Sequence, residues 1–296
     1  MQDIIRSPSG AKYRRWHSLL QKKYRDREGL YLIEGRNVIG DAQKAGLSFQ
    51  ALLIRTSGSK PDVTSEDMVF AEEVARKTAI QPTFLTRELF DRLNPTETGR
   101  GILAVVRKTP WSLDDFRRKP DRRDLLILDR IQDPGNLGTM LRTAEAASFA
   151  GIIAIRGTAD FFQPKLVRAA AGSLFRLPLL LARDGKEAVE LARRLELRVI
   201  GSGLDTDLTY TACDFTSPTA LIIGNEGQGV SEDLLDLCDA VCKIPMATGV
   251  NSLNAAVAAA LLIYECRRQK GEAAGQVGCP ANADLSSTNT DINKEV

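Results

Sequence analysis

The chain has 296 residues, 40 Lys+Arg against 38 Asp+Glu (net charge +2) and an ordinary 43% apolar fraction, a size that suggests two domains with substantial cores. The near balance of charge gives a nucleic-acid partner little support by itself. No apolar run is long enough to cross a bilayer, and the single histidine, His17, excludes a multi-histidine metal site.

Cations crowd the N-terminus: Arg6, Lys12, Arg14, Arg15, Lys22, Lys23, Arg25 and Arg27, with Tyr13, Trp16 and Tyr24 among them. Cations meet phosphates and aromatics stack on bases, so Arg14, Arg15, Lys22 and Lys23 are candidate RNA contacts. The same pattern fits a solvated amphipathic helix whose aromatics pack on the core. Residues 30–34 read as a strand and 35–45 as a helix closed by Gly46. Residues 51–55 read as a strand, 57–65 as a loop, 84–93 as an amphipathic helix and 101–107 as a closing strand. Residues 1–108 are thus expected to form a small α/β unit. A charged stretch with Pro110 and Pro120 marks 109–123 as a linker.

From residue 124 strands and helices alternate. Strands are expected at 125–128, 151–155, 177–180, 198–201, 220–223 and 241–244. Helices are expected at 137–147, 164–173 (proline in its first turn), 186–195, 232–237 (N-capped by Ser231) and, rich in alanine, 254–267. Such alternation predicts a mostly parallel sheet covered on both faces over 124–270. Lys165, Arg168 and Arg176 follow the aromatic pair Phe161 and Phe162, a setting for an RNA backbone or simply a charged helix face. The small, polar segment 271–296 is expected to be disordered. The five cysteines, Cys213, Cys238, Cys242, Cys266 and Cys279, form no CxxC pair, and no signal peptide precedes them. Reduced thiols in the cytoplasm are the simplest reading.

Three segments carry chemistry. In the first, the 125–128 strand stops at Asp133-Pro-Gly, and an amide (Asn136) and a guanidinium (Arg142) appear where a helix begins. Carboxyl ends of strands are where open α/β sheets bind ligands. In the second, Leu221-Ile-Ile-Gly-Asn-Glu-Gly-Gln-Gly-Val-Ser231, glycines such as Gly224 let backbone approach a ligand. Their order is GxxGxG rather than the dinucleotide GxGxxG, and Glu226 would repel phosphate but hold a hydroxyl, an amine or an arginine. In the third, Ile244-Pro-Met-Ala-Thr-Gly-Val-Asn-Ser-Leu-Asn254, a polar loop opens a small-residue helix, with Asn251 or Ser252 as plain N-cap candidates.

These motifs, with the intervening 164–178, resemble the SpoU (TrmH-like) RNA ribose 2′-O-methyltransferases of the SPOUT class over 124–267; 1–108 resembles, more loosely, the substrate-binding domain that often precedes them. One departure stands out. The family usually has a glycine two residues after the methionine, and this chain has Thr248 there, with Gly249 following. The resemblance implies a parallel α/β sheet with a C-terminal trefoil knot, a rare exception to unknotted topology. It also implies S-adenosyl-L-methionine as cofactor, a homodimer through the knot region, and RNA as substrate, ribosomal RNA before tRNA. Carried over, Gly224, Ile244, Met246 and Leu253 would meet the cofactor, and Asn136, Arg142, Glu226, Ser252 and Asn254 would form the reaction centre. A tRNA methyltransferase and a non-catalytic RNA-binding or ribosome-assembly factor are the competing readings. A nucleotide-dependent oxidoreductase is disfavoured by the missing dinucleotide fingerprint.

Overall fold

A computed structural model describes residues 4–58, 60–94, 101–118, 123–250 and 252–273. The first part runs β1 (Ile4–Ile5), α1 (Ala11–Ser18), α2 (Lys22–Glu28), β2 (Leu30–Glu34), α3 (Arg36–Lys44), β3 (Phe49–Ser57), β4 (Lys60–Pro61), α4 (Ser65–Thr78), β5 (Pro82–Thr86), α5 (Arg87–Leu93) and β6 (Ile102–Arg107). Its sheet has the order β1-β5-β3-β6-β2, with β4 on β3. The β1-β5 and β5-β3 pairs are parallel, and β3-β6 and β6-β2 are antiparallel. The helix expected at 84–93 begins only at Arg87, because Pro82–Thr86 pairs in parallel with β3, from Leu52 opposite Pro82 to Thr56 opposite Thr86. α4 has no counterpart among the elements expected from the sequence. It is started by Thr64, whose hydroxyl accepts the Asp67 amide at 3.1 Å.

The linker region holds a short 3-10 turn (Leu113–Arg117) with a capping box between Ser112 and Asp115. After it come β7 (Leu125–Leu128), α6 (Pro134–Ala146), β8 (Gly151–Ile155), α7 (Pro164–Ala169), α8 (Ser173–Arg176), β9 (Leu179–Ala182), α9 (Gly185–Arg194), β10 (Arg198–Ser202), β11 (Thr219–Ile223), α10 (Glu232–Leu235), β12 (Ala240–Cys242) and α11 (Ala255–Ala273). The second sheet is wholly parallel, in the order β12-β10-β11-β7-β8-β9. The helix expected over 164–173 breaks where Ala171 and Gly172 take positive φ (44° and 82°). Residues 271–273, expected to be disordered, belong to α11, which runs through Ala273; 274–296, and Cys279 with them, lie outside the described residues.

Apolar side chains of this sheet feed two faces. Leu125, Ile127, Ile153 and Ile222 pack with α9 and α10, and Leu126, Leu128, Ile152 and Leu221 pack with α6, α7 and α11. The second cluster continues without a break into Tyr31, Ile33, Leu52 and Ala104 of the first sheet. The two sheets therefore share a core. On the far side of the first sheet, Tyr13 and Trp16 of α1 pack with Leu89 and Phe90 of α5. Gly138 sets the α6–α7 distance: a Cβ there would lie 2.4 Å from Ala169 Cβ. No helix among the described residues is long and apolar enough to cross a membrane.

Candidate active site

β7 and β11 are adjacent, and the chain leaves them in opposite directions across the sheet, which opens a crevice at their carboxyl ends. Into it come the loops 129–133 and 224–230 and the N-terminus of α11. Asp133 caps α6 by accepting the Asn136 amide at 2.8 Å, and Pro134 occupies the first turn, where no amide partner is needed. The cap points the Asn136 side chain at the second loop, where Asn136 Nδ2 donates to Glu226 Oε1 (3.1 Å). Glu226 also accepts the Gln132 amide on Oε2 (3.0 Å) and the Asp133 amide on Oε1 (3.0 Å). Asn254 Nδ2 donates to Asn136 Oδ1 (3.0 Å), while Asn254 Oδ1 accepts the amides of Ala256 (2.9 Å) and Val257 (3.2 Å). Three segments thus meet in one chain of hydrogen bonds, Asn254 to Asn136 to Glu226. Asn254 is the N-cap of α11, not Ser252; Asn251, the other candidate, lies outside the described residues.

Burial alone would raise the Glu226 carboxyl, but the Asp133 amide, the Asn136 side chain and the Gln132 amide hold it below its ordinary 4.5. A carboxylate committed to three N–H donors is an anchor for the two loops rather than a proton acceptor. Behind it, buried Asp129 accepts Arg130 Nε (2.8 Å) and Nη2 (3.1 Å) and the Ser231 amide (3.0 Å). Arg130 sits at φ +58° and reaches Gln228 across the crevice (3.2 Å). Asn225 Nδ2 donates to the Arg130 carbonyl (2.8 Å). Asp129, Arg130, Gln132, Asp133 and Asn225 are not among the residues expected at the site from the sequence. Asp-Pro ahead of a helix was the signal available for Asp133; nothing local announces the positive φ of Arg130.

Arg142 lies two turns along α6 and is exposed; no side-chain hydrogen bond or ion pair ties it to another described residue. Six residues of α-helix place it about 9 Å from Asn136 along the axis and about 120° around it. Gly224 approaches its own loop rather than open space: a Cβ there would lie 2.0 Å from Gly229 C and Val230 N. Ile244 and Met246 are half-buried, and Ser252 and Leu253 are exposed, on the loop between β12 and α11. That loop bonds to itself through Val250 N and Ala247 O (3.1 Å).

Among the proposed RNA contacts, Arg14, Arg15, Lys22, Lys23 and Lys165 are exposed, Arg15 pairing with Glu28 at 2.9 Å. Arg168 is engaged internally. Its guanidinium is paired with Glu34 of β2 at 3.1 Å, so it ties α7 to the first sheet. Tyr13 and Trp16 face the core, with Tyr13 Oη donating to the Leu89 carbonyl (3.1 Å), and are not free to stack on bases. Tyr24 is half-buried, with Lys23 and Arg27 4.8 and 4.9 Å from its ring centroid.

Residues 124–264 match the SpoU rRNA Methylase family, and 11–104 match the MRM3-like substrate binding domain. The chain is 34% identical over 263 residues to the 23S rRNA (guanosine(2553)-2'-O)-methyltransferase RlmP of Bacillus subtilis (strain 168), covering 89% of this chain and 98% of that protein. It is also 34% identical over 269 residues to a 23S rRNA (uridine(2479)-2'-O)-methyltransferase of Streptomyces viridochromogenes, covering 88% and 90%. An AdoMet-bound rRNA methyltransferase from Sinorhizobium meliloti superposes with a TM-score of 0.77 at 27% identity, over 90% of this chain and 97% of that one. The SpoU methyltransferase AviRb from Streptomyces viridochromogenes, in complex with AdoMet, gives 0.75 at 31%, over 89% and 100%.

Proposed function

This chain belongs to the SpoU rRNA methylase family, and from that premise we propose that it transfers the methyl group of S-adenosylmethionine to a ribose 2′-hydroxyl of 23S-type ribosomal RNA. A ribosomal substrate of the kind that the Bacillus subtilis relative is named for supports a cytoplasmic location. The observation that carries the residue assignment is the chain of hydrogen bonds Asn254–Asn136–Glu226 at the carboxyl ends of β7 and β11.

The residues present fit the cofactor. The segments 243–250 and 252–254 offer main-chain donors and acceptors beside the apolar Ile244, Met246 and Leu253, a surface suited to an adenine ring and a thioether-like chain. When bound, S-adenosylmethionine supplies an already activated methyl group. Asn136 and Asn254 orient the ribose, so much of the rate comes from holding the 2′-oxygen in line. Glu226 fixes loop 129–133 against loop 224–230. Arg142 grips the phosphate beside the target ribose and stabilises negative charge as it develops; a guanidinium holds its proton too tightly to serve readily as a base.

Arg142 and Asn136 point to different sides of α6, and a homodimer reconciles them. Val257, Leu261 and Tyr264 form an exposed apolar stripe on α11 (51%, 39% and 50% exposed), continued by Leu253 at 39%. Pairing two such stripes buries them and sets Arg142 of one protomer against the reaction centre of the other. The trefoil knot is part of the same proposal. From the sheet-edge strand β12 the chain returns as α11 to the sheet centre, beside the segment 208–215. Lys243 N bonds the Leu208 carbonyl (2.9 Å), and Gln269 Nε2 bonds the Cys213 carbonyl (2.9 Å).

Transfer of a labelled methyl group from S-adenosylmethionine to bulk RNA tests the activity, and mapping of ribose methylation with and without the protein tests the target. Labelled 23S-type RNA is the expected product. Label confined to tRNA would replace the substrate assignment, and binding of RNA without any transfer would favour an assembly factor.

A further inference from the structure

Arg25 sits in the basic N-terminal run but is buried, at 4% exposed, whereas Arg14, Arg15, Lys22, Lys23 and Arg27 around it are exposed. Its Nη1 donates to the Leu19 carbonyl (2.6 Å), which locks α1 to α2. Its Nε and Nη2 both donate to Asp160 Oδ2, at 3.0 and 2.5 Å, in the segment that follows β8. Asp160 Oδ1 accepts the Phe162 amide (3.0 Å), and the Phe162 ring packs on Tyr31 of β2 with centroids 4.9 Å apart. This segment in turn backs the first loop of the candidate active site. Ala159 N donates to the Ile131 carbonyl (2.9 Å), Thr158 Oγ1 to the Leu128 carbonyl (3.2 Å), and Gln132 Nε2 to the Gly157 carbonyl. The next amides, Gln132 and Asp133, are the ones that hold Glu226.

We propose that Arg25 is a positioning residue, which couples the seating of the RNA-facing helices α1 and α2 to the geometry of the Glu226–Asn136 centre through Asp160 and loop 129–133. The inference rests on the reading of that centre and of the basic helices given above. Its physical basis is that a buried guanidinium–carboxylate pair tolerates the loss of neither partner. Without Arg25, Asp160 turns toward water, and the segment 156–163 no longer presses loop 129–133 against Glu226. Lys22, Lys23 and Arg27 are on the same two-turn helix as Arg25, so a phosphate backbone seated on α2 bears on this linkage directly.

The test uses the full chain with Arg25→Met, Asp160→Asn and the double variant, each with a thermal melt. Hydrogen exchange in the free protein reads the linkage without RNA or turnover. Arg25→Met is expected to speed exchange across 129–136 while strand 102–107 stays protected. Single-turnover methyl transfer at saturating RNA is expected to slow roughly 10- to 100-fold. RNA affinity is expected to fall by much less than the rate, since the exposed Lys22, Lys23 and Arg27 remain, and the double variant to be no slower than Arg25→Met. Unchanged exchange at 129–136, additive effects in the double variant, or an affinity loss equal to the rate loss would each overturn the proposal. If Arg25→Met does not fold, Asp160→Asn, which keeps the acceptor for the Phe162 amide, carries the same expectations. Lys22→Glu/Lys23→Glu separates the underlying reading: it is expected to weaken RNA binding and leave exchange at 129–136 as in the wild type. Unaltered RNA affinity there would remove α2 from the RNA interface while the exchange result still judges Arg25.

Discussion

Glu226→Gln is the most discriminating substitution at the candidate centre, because it keeps shape and removes only one acceptor and the charge. The new carbonyl can stay on the Oε1 side, where the Asp133 amide and Asn136 Nδ2 donate. The new NH2 then replaces Oε2 and confronts the Gln132 amide, which previously donated at 3.0 Å. One hydrogen bond to a charged acceptor is lost and two donors face each other, a cost of about 1.5–3 kcal/mol. Concentrated on the registry of loops 129–133 and 224–230, about 2 kcal/mol corresponds to roughly 30-fold in rate. Single-turnover transfer of labelled methyl to unmodified ribosomal RNA should therefore slow by about one to two orders of magnitude, with cofactor affinity by calorimetry little changed. A wild-type rate, or a rate loss that disappears at saturating S-adenosylmethionine, would refute the anchoring role. The pH dependence supplies a second check. The folded-state carboxyl titrates below its ordinary 4.5, so its stabilisation is fully present above that value and is lost as pH falls through the lower folded value. The gap in thermal midpoint between wild type and Glu226→Gln should be full near neutrality and close below about pH 4.5.

Arg142→Ala should lower methyl transfer by roughly 10²- to 10³-fold, the scale for losing one preorganised donor, with S-adenosylmethionine still bound. Because Arg142 is assigned to the partner's centre, mixed dimers of Arg142→Ala and Asn136→Ala protomers should regain activity, since one of their two sites is intact; inactive mixed dimers would place the arginine in its own subunit's site. Val257→Glu/Leu261→Glu should convert the protein to monomers in sedimentation and remove activity. An active monomer would separate the stripe on α11 from the reaction. Gly224→Ala should destabilise the chain by about 1–3 kcal/mol, because the added methyl meets backbone atoms that cannot yield. An unchanged melting curve would show that loop 224–230 adjusts freely.

The order of strands and helices after residue 124 was legible because it rests on local period: continuous apolar runs at 125–128 and 220–223, the Asp-Pro helix start at 133–134, and the alanines of α11. Elements that lean on distant partners were not. Pro82–Thr86 is a strand because β3 lies beside it, although its residues also extend the apolar pattern of the helix that follows. Likewise Arg25 reads as one more surface cation, and it is Asp160, 135 residues away, that makes it an internal pin. The three motifs could be identified along the chain, and so could the residue types they carry. That Asn136 meets Glu226 across 90 residues and Asn254 across 118, while Arg142 turns outward, was decided by the sheet order β12-β10-β11-β7 and the return of α11. A sequence encodes which groups are present and what each turn of backbone prefers locally. Only the packing of those turns against one another sets the distances on which hydrogen bonds depend.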